Sequence, residues 1–225
     1  MPTTLQATFG FPKALTLGAA TGDRVDCGGA SDISGFTKFS GAALLFPTTL
    51  TTPRQVCSKN GASDGWNIEL SDANGNVDIF FAGVTALNYI TNSTPLRLNT
   101  WRFLAWTCDT SLGAGQKVHF YSSTAPTTPL LEATYGTQTE GATPAADTTS
   151  DPLRWGNETS LTLAFQGRMA LGWYAPGTAY SLQDLQRWQR EPFRLLTGMK
   201  VFTVFDKETG LLVDRTGLGH NGTVT

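Results

Sequence analysis

The stretch from Thr100 to Tyr121, TWRFLAWTCDTSLGAGQKVHFY, constrains the fold of this chain more than any other. Successive side chains of an extended strand point to opposite faces. Trp101 and Phe103 therefore lie on one face and Trp106 on the other, so both faces of the strand are apolar and aromatic. Such a strand is typical of a sheet that is covered on both sides. The sequence thus predicts a layered structure with this strand inside it.

A second strand follows after a turn. Residues 109–115, DTSLGAG, are rich in Asp and Gly, which supply the backbone conformations that turns need. Beyond the turn, Val118 and Phe120 lie on one face of the next strand, and the polar face carries Lys117, His119 and Tyr121. The two strands are predicted to form a β-hairpin around which the other strands are arranged.

The rest of the chain is predicted to form short strands and tight turns. Only 15% of its 225 residues are charged and 24 are glycine, which fits many turns within one large core. Residues 36–46 form a longer strand that Pro47 ends. Residues 66–70 and 77–81 pair through a hairpin turn at residues 72–76, because Asn-Gly accepts the positive φ values of that turn.

One short helix is predicted near the C-terminus. Ser181 is a suitable N-cap, Asp184 completes a capping box, and Leu182, Leu185 and Trp188 fall on one side. Pro192 ends the helix. The predicted fold class is therefore all-β, a two-sheet antiparallel sandwich with one short C-terminal helix.

The charge and cysteine patterns exclude several partners. The net charge is −2 and no cluster of Lys or Arg is present, so we expect no binding to nucleic acid. The longest apolar patch, residues 42–46, is too short to span a bilayer, so we expect no membrane insertion. Cys27, Cys57 and Cys108 are widely spaced and odd in number, which favours buried thiols in a reducing cytoplasm. We expect no secretion signal, since no basic start precedes an apolar run.

Four stretches of the sequence resemble the laminin-G-like, concanavalin-A-like lectin/glucanase superfamily, and together they cover about residues 14–196. They are Ala14–Phe46, the Cys57-Ser-Lys59 and Gly65–Leu70 pair, the Trp101–Asp109 strand with Val118–Tyr121, and Phe165–Tyr174 with Leu182–Trp188. The resemblance implies a jelly-roll β-sandwich and a domain over residues 1–198. It says little about function, because one fold serves many functions.

Two departures from the family pattern concern the C-terminal part of the chain. Asp214, Gly217, Gly219, Asn221 and Gly222 resemble a signature that normally opens a family domain. Residues 190–196, REPFRLL, are similar to an ending found in bacteriophage members. We therefore expect residues 199–225 to be an arm that completes its own sheet or a neighbouring subunit's. The side chains predicted to act in this arm are Phe202, Phe205, Leu211 and Val213.

The sequence does not favour an enzyme. The E-x-D-x-x-E triplet of the family's glucanases is absent, and the nearest pair, Asp206 and Glu208, lies in a predicted turn. His119 and His220 lack a nearby nucleophile setting. We expect no catalytic residues, no metal and no cofactor. Some family members bind calcium at a loop rim, which leaves open a weak site involving Asp23 or Asp109.

Exposed aromatic rings are needed to stack on sugars. The tryptophans of the predicted strands are expected in the core. Tyr89, Asn92 and Tyr135 are the candidate ligand-binding residues, in or near the loops at 86–95 and 136–152.

Three functions are weighed from these features. The first is a non-enzymatic structural protein of a bacteriophage virion, such as a capsid decoration, head-fibre or tail component. It would assemble in the host cytoplasm and bind other virion proteins or copies of itself. The second is a lectin-type module that binds a host-surface glycan. A glycosidase or lyase is a distant third.

Overall fold

The computed structural model describes residues 13–18, 22–51, 53–61, 64–81, 87–124, 128–139, 148, 150–158 and 163–225. Residues 1–12 lie outside this description, and so does about half of the 136–152 loop. Within them the chain forms sixteen strands and one helix. The elements are β1 (Leu15–Leu17), β2 (Val25–Asp26), β3 (Lys38–Pro47), β4 (Arg54–Asn60), β5 (Gly65–Leu70), β6 (Val77–Phe81), β7 (Asn88–Thr91), β8 (Arg102–Asp109), β9 (Val118–Ser123), β10 (Leu131–Glu132), β11 (Tyr135–Thr139), β12 (Arg154–Trp155), β13 (Gly167–Pro176), α1 (Leu182–Arg190), β14 (Val201–Val204), β15 (Gly210–Leu212) and β16 (Gly222–Val224).

The strands form two sheets. The seven-stranded sheet has the order β1-β13-β3-β8-β9-β10, and β14 also pairs with β13. The nine-stranded sheet has the order β11-β7-β6-β5-β4-β12-β2-β16-β15. All of these strand pairs are antiparallel. The predicted two-sheet, antiparallel, all-β fold with one short helix is therefore confirmed.

The main core lies between the two sheets and is rich in aromatic rings. Phe39 of the seven-stranded sheet stacks on Trp66 of the nine-stranded sheet, with 4.5 Å between ring centroids. Trp106 and Trp155 meet across the same core at 6.3 Å. The tryptophans that the sequence placed in the core are all buried. Their burial confirms that the side chains of the strand within residues 100–121 alternate between two covered faces.

A second core covers the outer face of the seven-stranded sheet. Phe103 and Trp173 project from this face, and both contact Trp188 of α1 edge to face, at 5.6 and 5.3 Å. Leu185 of the same helix is also fully buried here. The hairpin strand β8 is thus covered on both sides, as its two apolar faces predicted.

Helix α1 begins and ends where the sequence indicated. Ser181 Oγ accepts a hydrogen bond from the Asp184 N–H at 3.2 Å, and the Ser181 N–H donates to Asp184 Oδ2 at 3.3 Å. These two bonds satisfy donors that the first helical turn leaves open. At the other end, Trp188 Nε1 donates to the Pro192 carbonyl at 3.1 Å. Within the part of the chain that the structure describes, no helix is long and apolar enough to cross a membrane.

The C-terminal segment contributes strands to both sheets of its own chain. Strand β14 pairs with β13, and β16 pairs with β2. Phe202 and Phe205 are buried in the two cores, whereas Leu211 and Val213 are 51% and 53% exposed. Phe202 and Phe205 therefore pack within this chain, and of the four residues predicted to form an assembly arm only Leu211 and Val213 present an exposed apolar surface.

The signature that begins at Asp214 forms a turn built around one buried carboxylate. Asp214 accepts hydrogen bonds from the N–H groups of Phe202 and Thr216, both at 3.0 Å, and from Thr216 Oγ1 at 2.6 Å. Its own N–H donates to Asn221 Oδ1 at 2.9 Å. Because Phe202 belongs to β14 and Asn221 precedes β16, the carboxylate and the N–H of Asp214 together connect the two sheets. The motif has a structural role here.

Replacing this carboxylate is expected to destabilise the fold. Asp214→Ala leaves several buried donors without an acceptor, and we expect the free energy of unfolding to fall by about 3 kcal/mol. Urea unfolding of the purified chain measures the change. Asp206→Ala is the control, because the Asp206–Arg215 ion pair is long, at 3.8 Å, and largely exposed, and its loss should cost less than about 1 kcal/mol. Equal effects of the two substitutions would contradict this role of Asp214.

Candidate functional site

The three predicted ligand-binding residues lie together at one edge of the nine-stranded sheet. Strands β7 and β11 pair there, with Tyr135 opposite Thr91. Asn92 follows β7 directly, and its N–H donates to the Thr134 carbonyl at 2.9 Å. Tyr89, Asn92 and Tyr135, all predicted from the sequence, are thus neighbours in space.

Their exposure differs from what we expected. Tyr89 is fully buried in the main core, where its ring meets Tyr135 edge to face at 5.9 Å. Tyr89 cannot stack on a sugar, because alternation along β7 turns its ring towards the other sheet. The Tyr135 hydroxyl accepts a hydrogen bond from the Phe120 N–H at 2.7 Å and so joins β11 to β9. Burial raises the pKa of Tyr135, which keeps the phenol neutral.

Asn92 is exposed, and the hydroxyl of Thr134 donates to its side-chain oxygen. Asn92 is therefore the member of the predicted trio that solvent reaches most easily. With one tyrosine buried and the other engaged in a bond between sheets, the trio does not form an aromatic binding surface.

A polar groove of about 300 Å³ lies elsewhere, on the outer face of the seven-stranded sheet beside the start of α1. We call it the helix groove. Strands β8 and β9 supply one wall, where Thr107 is the register partner of His119. Tyr180 and Ser181 supply the opposite wall, and Tyr180 is held because its N–H donates to Ser40 Oγ at 2.9 Å. The full lining is Thr107, Asp109, Leu112, Gln116, Lys117, His119, Tyr121, Ala179, Tyr180 and Ser181.

Two stacked rings lie in the helix groove. His119 and Tyr121 project from the same face of β9, with ring centroids 6.2 Å apart and planes 19° apart. Tyr121 is 6% exposed, whereas 32% of the His119 side chain is open to solvent. His119 therefore presents part of its ring to solvent in the groove, and the nearly parallel Tyr121 ring lies beside it.

Both nitrogens of His119 face oxygen atoms. Nδ1 lies 2.5 Å from Glu132 Oε1, and Nε2 lies 3.1 Å from the Gln116 carbonyl. These contacts fix the orientation of the ring. Tyr180 is held as well, since its hydroxyl donates to the Thr197 carbonyl at 2.6 Å. Burial and, second to it, the charge of Asp184 raise the pKa of Tyr180 to about 12, so its phenol stays protonated.

Asp109 provides a fixed negative charge in the groove. Burial by itself would raise the pKa of this carboxyl, but hydrogen bonds from Lys38 and Ser111 outweigh it and bring the pKa below the ordinary value. Lys38 Nζ lies 2.9 Å from Oδ2, and the Ser111 hydroxyl donates to Oδ1 at 2.5 Å. The groove thus combines an ion-paired carboxylate and Lys117 with amide and hydroxyl groups, which suits a ligand rich in hydroxyls.

The three cysteines, His220 and Asp23 are each buried or bonded within the protein. The three thiols are buried, and burial is the main cause that raises the pKa of each, to about 12 for Cys27. His220 Nε2 lies 3.1 Å from Asp32 Oδ2. Asp23 accepts the Gly18 N–H at 2.7 Å, and it precedes β2 of the nine-stranded sheet while Asp109 ends β8 of the other. The loop-rim calcium site involving Asp23 or Asp109 stays a prediction.

The sequence showed part of the helix groove. Alternation along β9 already placed Lys117, His119 and Tyr121 on one face. It did not show that the start of α1 lies beside that face, because this contact depends on how the helix packs on the outer side of the sheet. From the sequence, His119 was therefore considered only as a member of a possible catalytic triad.

The sequence has no match among protein-family models or curated proteins. Solved structures do share its fold. One is a candidate carbohydrate-binding protein from Bacteroides ovatus, with a TM-score of 0.59 and 17% identity over 94% of this chain. Another is domain 4 of the arabinanase AbnA from Geobacillus stearothermophilus, in complex with arabinotriose, with a TM-score of 0.53 and 17% identity over 77% of this chain and 75% of that one.

A third similar structure is tailspike protein 2 of a bacteriophage of Escherichia coli O157:H7, with a TM-score of 0.56 and 17% identity over 88% of this chain. This chain spans 58% of the Bacteroides protein and 27% of the tailspike. At these identities the similarity concerns the fold. The two-sheet sandwich is thus of the jelly-roll kind that the sequence resemblance implied.

The hydroxyl of Tyr135 is expected to contribute to stability, through its bond between the sheets. Tyr135→Phe leaves the Phe120 N–H without its acceptor, which should lower the free energy of unfolding by about 1 kcal/mol. Thermal unfolding should then show a melting temperature about 3 °C lower. Asn92→Ala, at an exposed neighbour, should change the melting temperature much less. A melting temperature unaffected by Tyr135→Phe would show that this bond does not hold the sheets together.

Proposed function

We propose that this chain is a non-enzymatic carbohydrate-binding module whose ligand binds in the helix groove. The observation that carries the proposal is the His119–Tyr121 stack inside a polar groove. A sugar ring has an apolar C–H face, which packs on flat rings, and hydroxyls at its edge, which exchange hydrogen bonds with polar side chains. The groove offers both surfaces within about 300 Å³, a volume suited to one or two sugar rings.

The fold is compatible with this proposal. Domain 4 of AbnA, whose structure contains arabinotriose, shares the sandwich. The proposal itself rests on the residues of the groove, because structural similarity at 17% identity does not identify a ligand.

The proposal is tested by a glycan array, followed by calorimetric titration of the best ligand. His119→Ala should weaken binding about fivefold, because an aromatic contact is worth about 1 kcal/mol and 1.4 kcal/mol corresponds to a factor of ten. Its melting temperature should stay close to that of the wild type, since the His119–Glu132 pair is partly exposed.

His220→Ala is the matched control, because His220 also pairs with a carboxylate but lies outside the groove. It should bind as the wild type does. Absence of any glycan ligand, or equal binding by both variants and the wild type, would reject the helix groove as the binding site.

We propose as a second candidate that copies of this chain assemble with one another in a bacteriophage virion. Strand β15 ends the nine-stranded sheet and carries Leu211, and Val213 follows it. An edge strand with apolar side chains is suited to antiparallel pairing with the same strand of a second copy about a twofold axis. Phe193 and Leu195, in the segment that resembles bacteriophage members, are also exposed.

Self-assembly through β15 is tested by size-exclusion chromatography with light scattering. The wild type should be a dimer or a larger oligomer, and the double variant Leu211→Glu, Val213→Glu should be monomeric, because carboxylates on the edge repel one another. The matched control is Leu131→Glu, at an exposed leucine of β10, the edge strand of the other sheet. A monomeric wild type, or an oligomer that resists the double variant, would reject this interface.

A further inference from the structure

The outer face of the nine-stranded sheet carries a compact group of polar side chains, which we call the polar face. It consists of Gln55, Asn67, Glu69, Asp78 and Asn88, from the four adjacent strands β4 to β7. Residues on these strands that alternate with them, such as Ile68 and Ile79, lie in the main core. The polar face thus points away from the core.

Two carboxyl groups of the polar face are direct neighbours. Glu69 of β5 and Asp78 of β6 are register partners, and Gln55 of β4 is the partner of Glu69 on its other side. Directly opposed residues of an antiparallel pair have Cβ atoms about 5 Å apart. Gln55 Nε2 donates to Glu69 Oε2 at 2.5 Å, which confirms that these side chains converge.

The charges and hydrogen bonds that act on these two carboxyls do not neutralise them. Burial and, second to it, the charge of Glu69 raise the pKa of Asp78 to about 8. A hydrogen bond from Ser71 acts in the opposite direction and lowers this pKa. Burial and, second to it, the charge of Glu158 raise the pKa of Glu69, and the hydrogen bond from Gln55 lowers it. The groups that act on the two carboxyls are therefore negative or neutral. Buried carboxylates in such surroundings bind either a proton or a cation.

Oxygen atoms beside the pair lack hydrogen-bond partners. Asp78 and Asn67 are each 6% exposed and Gln55 is fully buried, yet Asp78 Oδ1, Asn67 Oδ1 and Gln55 Oε1 have no donor. A buried acceptor without a donor costs about 1–3 kcal/mol. Three such atoms on the face that carries the two carboxyls indicate that a ligand which attracts oxygen lone pairs is part of the site. Glu69 is only partly buried and leaves a path from solvent.

We propose that the polar face binds one calcium ion between Glu69 and Asp78, with the amide oxygens of Gln55 and Asn67 as further ligands. Calcium takes carboxylate and amide oxygens in flexible geometry, whereas magnesium demands a near-ideal octahedron and retains water. Within the described residues no three His, Cys, Asp or Glu side chains converge on a metal position. The amide oxygens are therefore essential to the proposed site.

The test uses the purified full chain, first stripped with a chelator, and calcium chloride as the probe at pH 7. With a dissociation constant of about 0.1 mM, 10 mM calcium should raise the melting temperature by about 5 °C, and 10 mM magnesium by much less. Titration calorimetry should show one calcium ion bound per chain.

Asp78→Asn should abolish both the thermal shift and the calorimetric binding of calcium, and Glu69→Gln provides a second variant should the first fail to fold. Glu191→Gln, an exposed carboxylate outside the polar face, is the control and should respond as the wild type does. An unchanged wild-type melting temperature in 10 mM calcium would overturn the proposal. A calcium shift that survives both polar-face variants would overturn it as well.

Discussion

Burial of the seven-stranded sheet on both faces is the constraint on which the rest of the structure depends. Its inner face packs on the nine-stranded sheet, and its outer face carries Phe103 and Trp173, which need a cover of their own. Helix α1 supplies that cover through Leu185 and Trp188. The helix position is therefore set by the second core, and the helix groove arises where its first residues meet β8 and β9. The proposed sugar site thus follows from packing.

Close packing in the main core depends on two glycines that face indole rings. A Cβ atom on Gly41 would lie 2.4 Å from the ring of Trp106, and one on Gly172 would lie 2.9 Å from the ring of Trp155. Both are closer than the atoms of a side chain tolerate. The absence of a side chain in β3 and β13 lets the indoles lie flat on the backbone, which explains why strands rich in aromatic rings contain glycine.

The sequence predicted what local patterns determine. Alternation identified the two covered faces of β8, and the capping box at Ser181 and Asp184 fixed the start of α1. Contacts between distant elements were less accessible, and so Tyr89 was expected in a loop although β7 turns it into the core. The Glu69–Asp78 pair was missed because carboxylates were sought along one strand. The hairpin turn at residues 72–76 was predicted correctly, and counting outward from it would have placed Glu69 opposite Asp78.

Pairing of β16 with β2 has a consequence for synthesis of the protein. Residues 223 and 224 lie opposite Asp26 and Val25, so the two partners are separated by nearly the whole sequence. Strand β2 leaves the ribosome early and keeps an unpaired edge until residues 222–224 emerge. Contacts of such sequence separation form slowly, and open strand edges attract other chains meanwhile. Folding of this sandwich is thus completed after translation of this segment, when chaperones that shield strand edges are most useful.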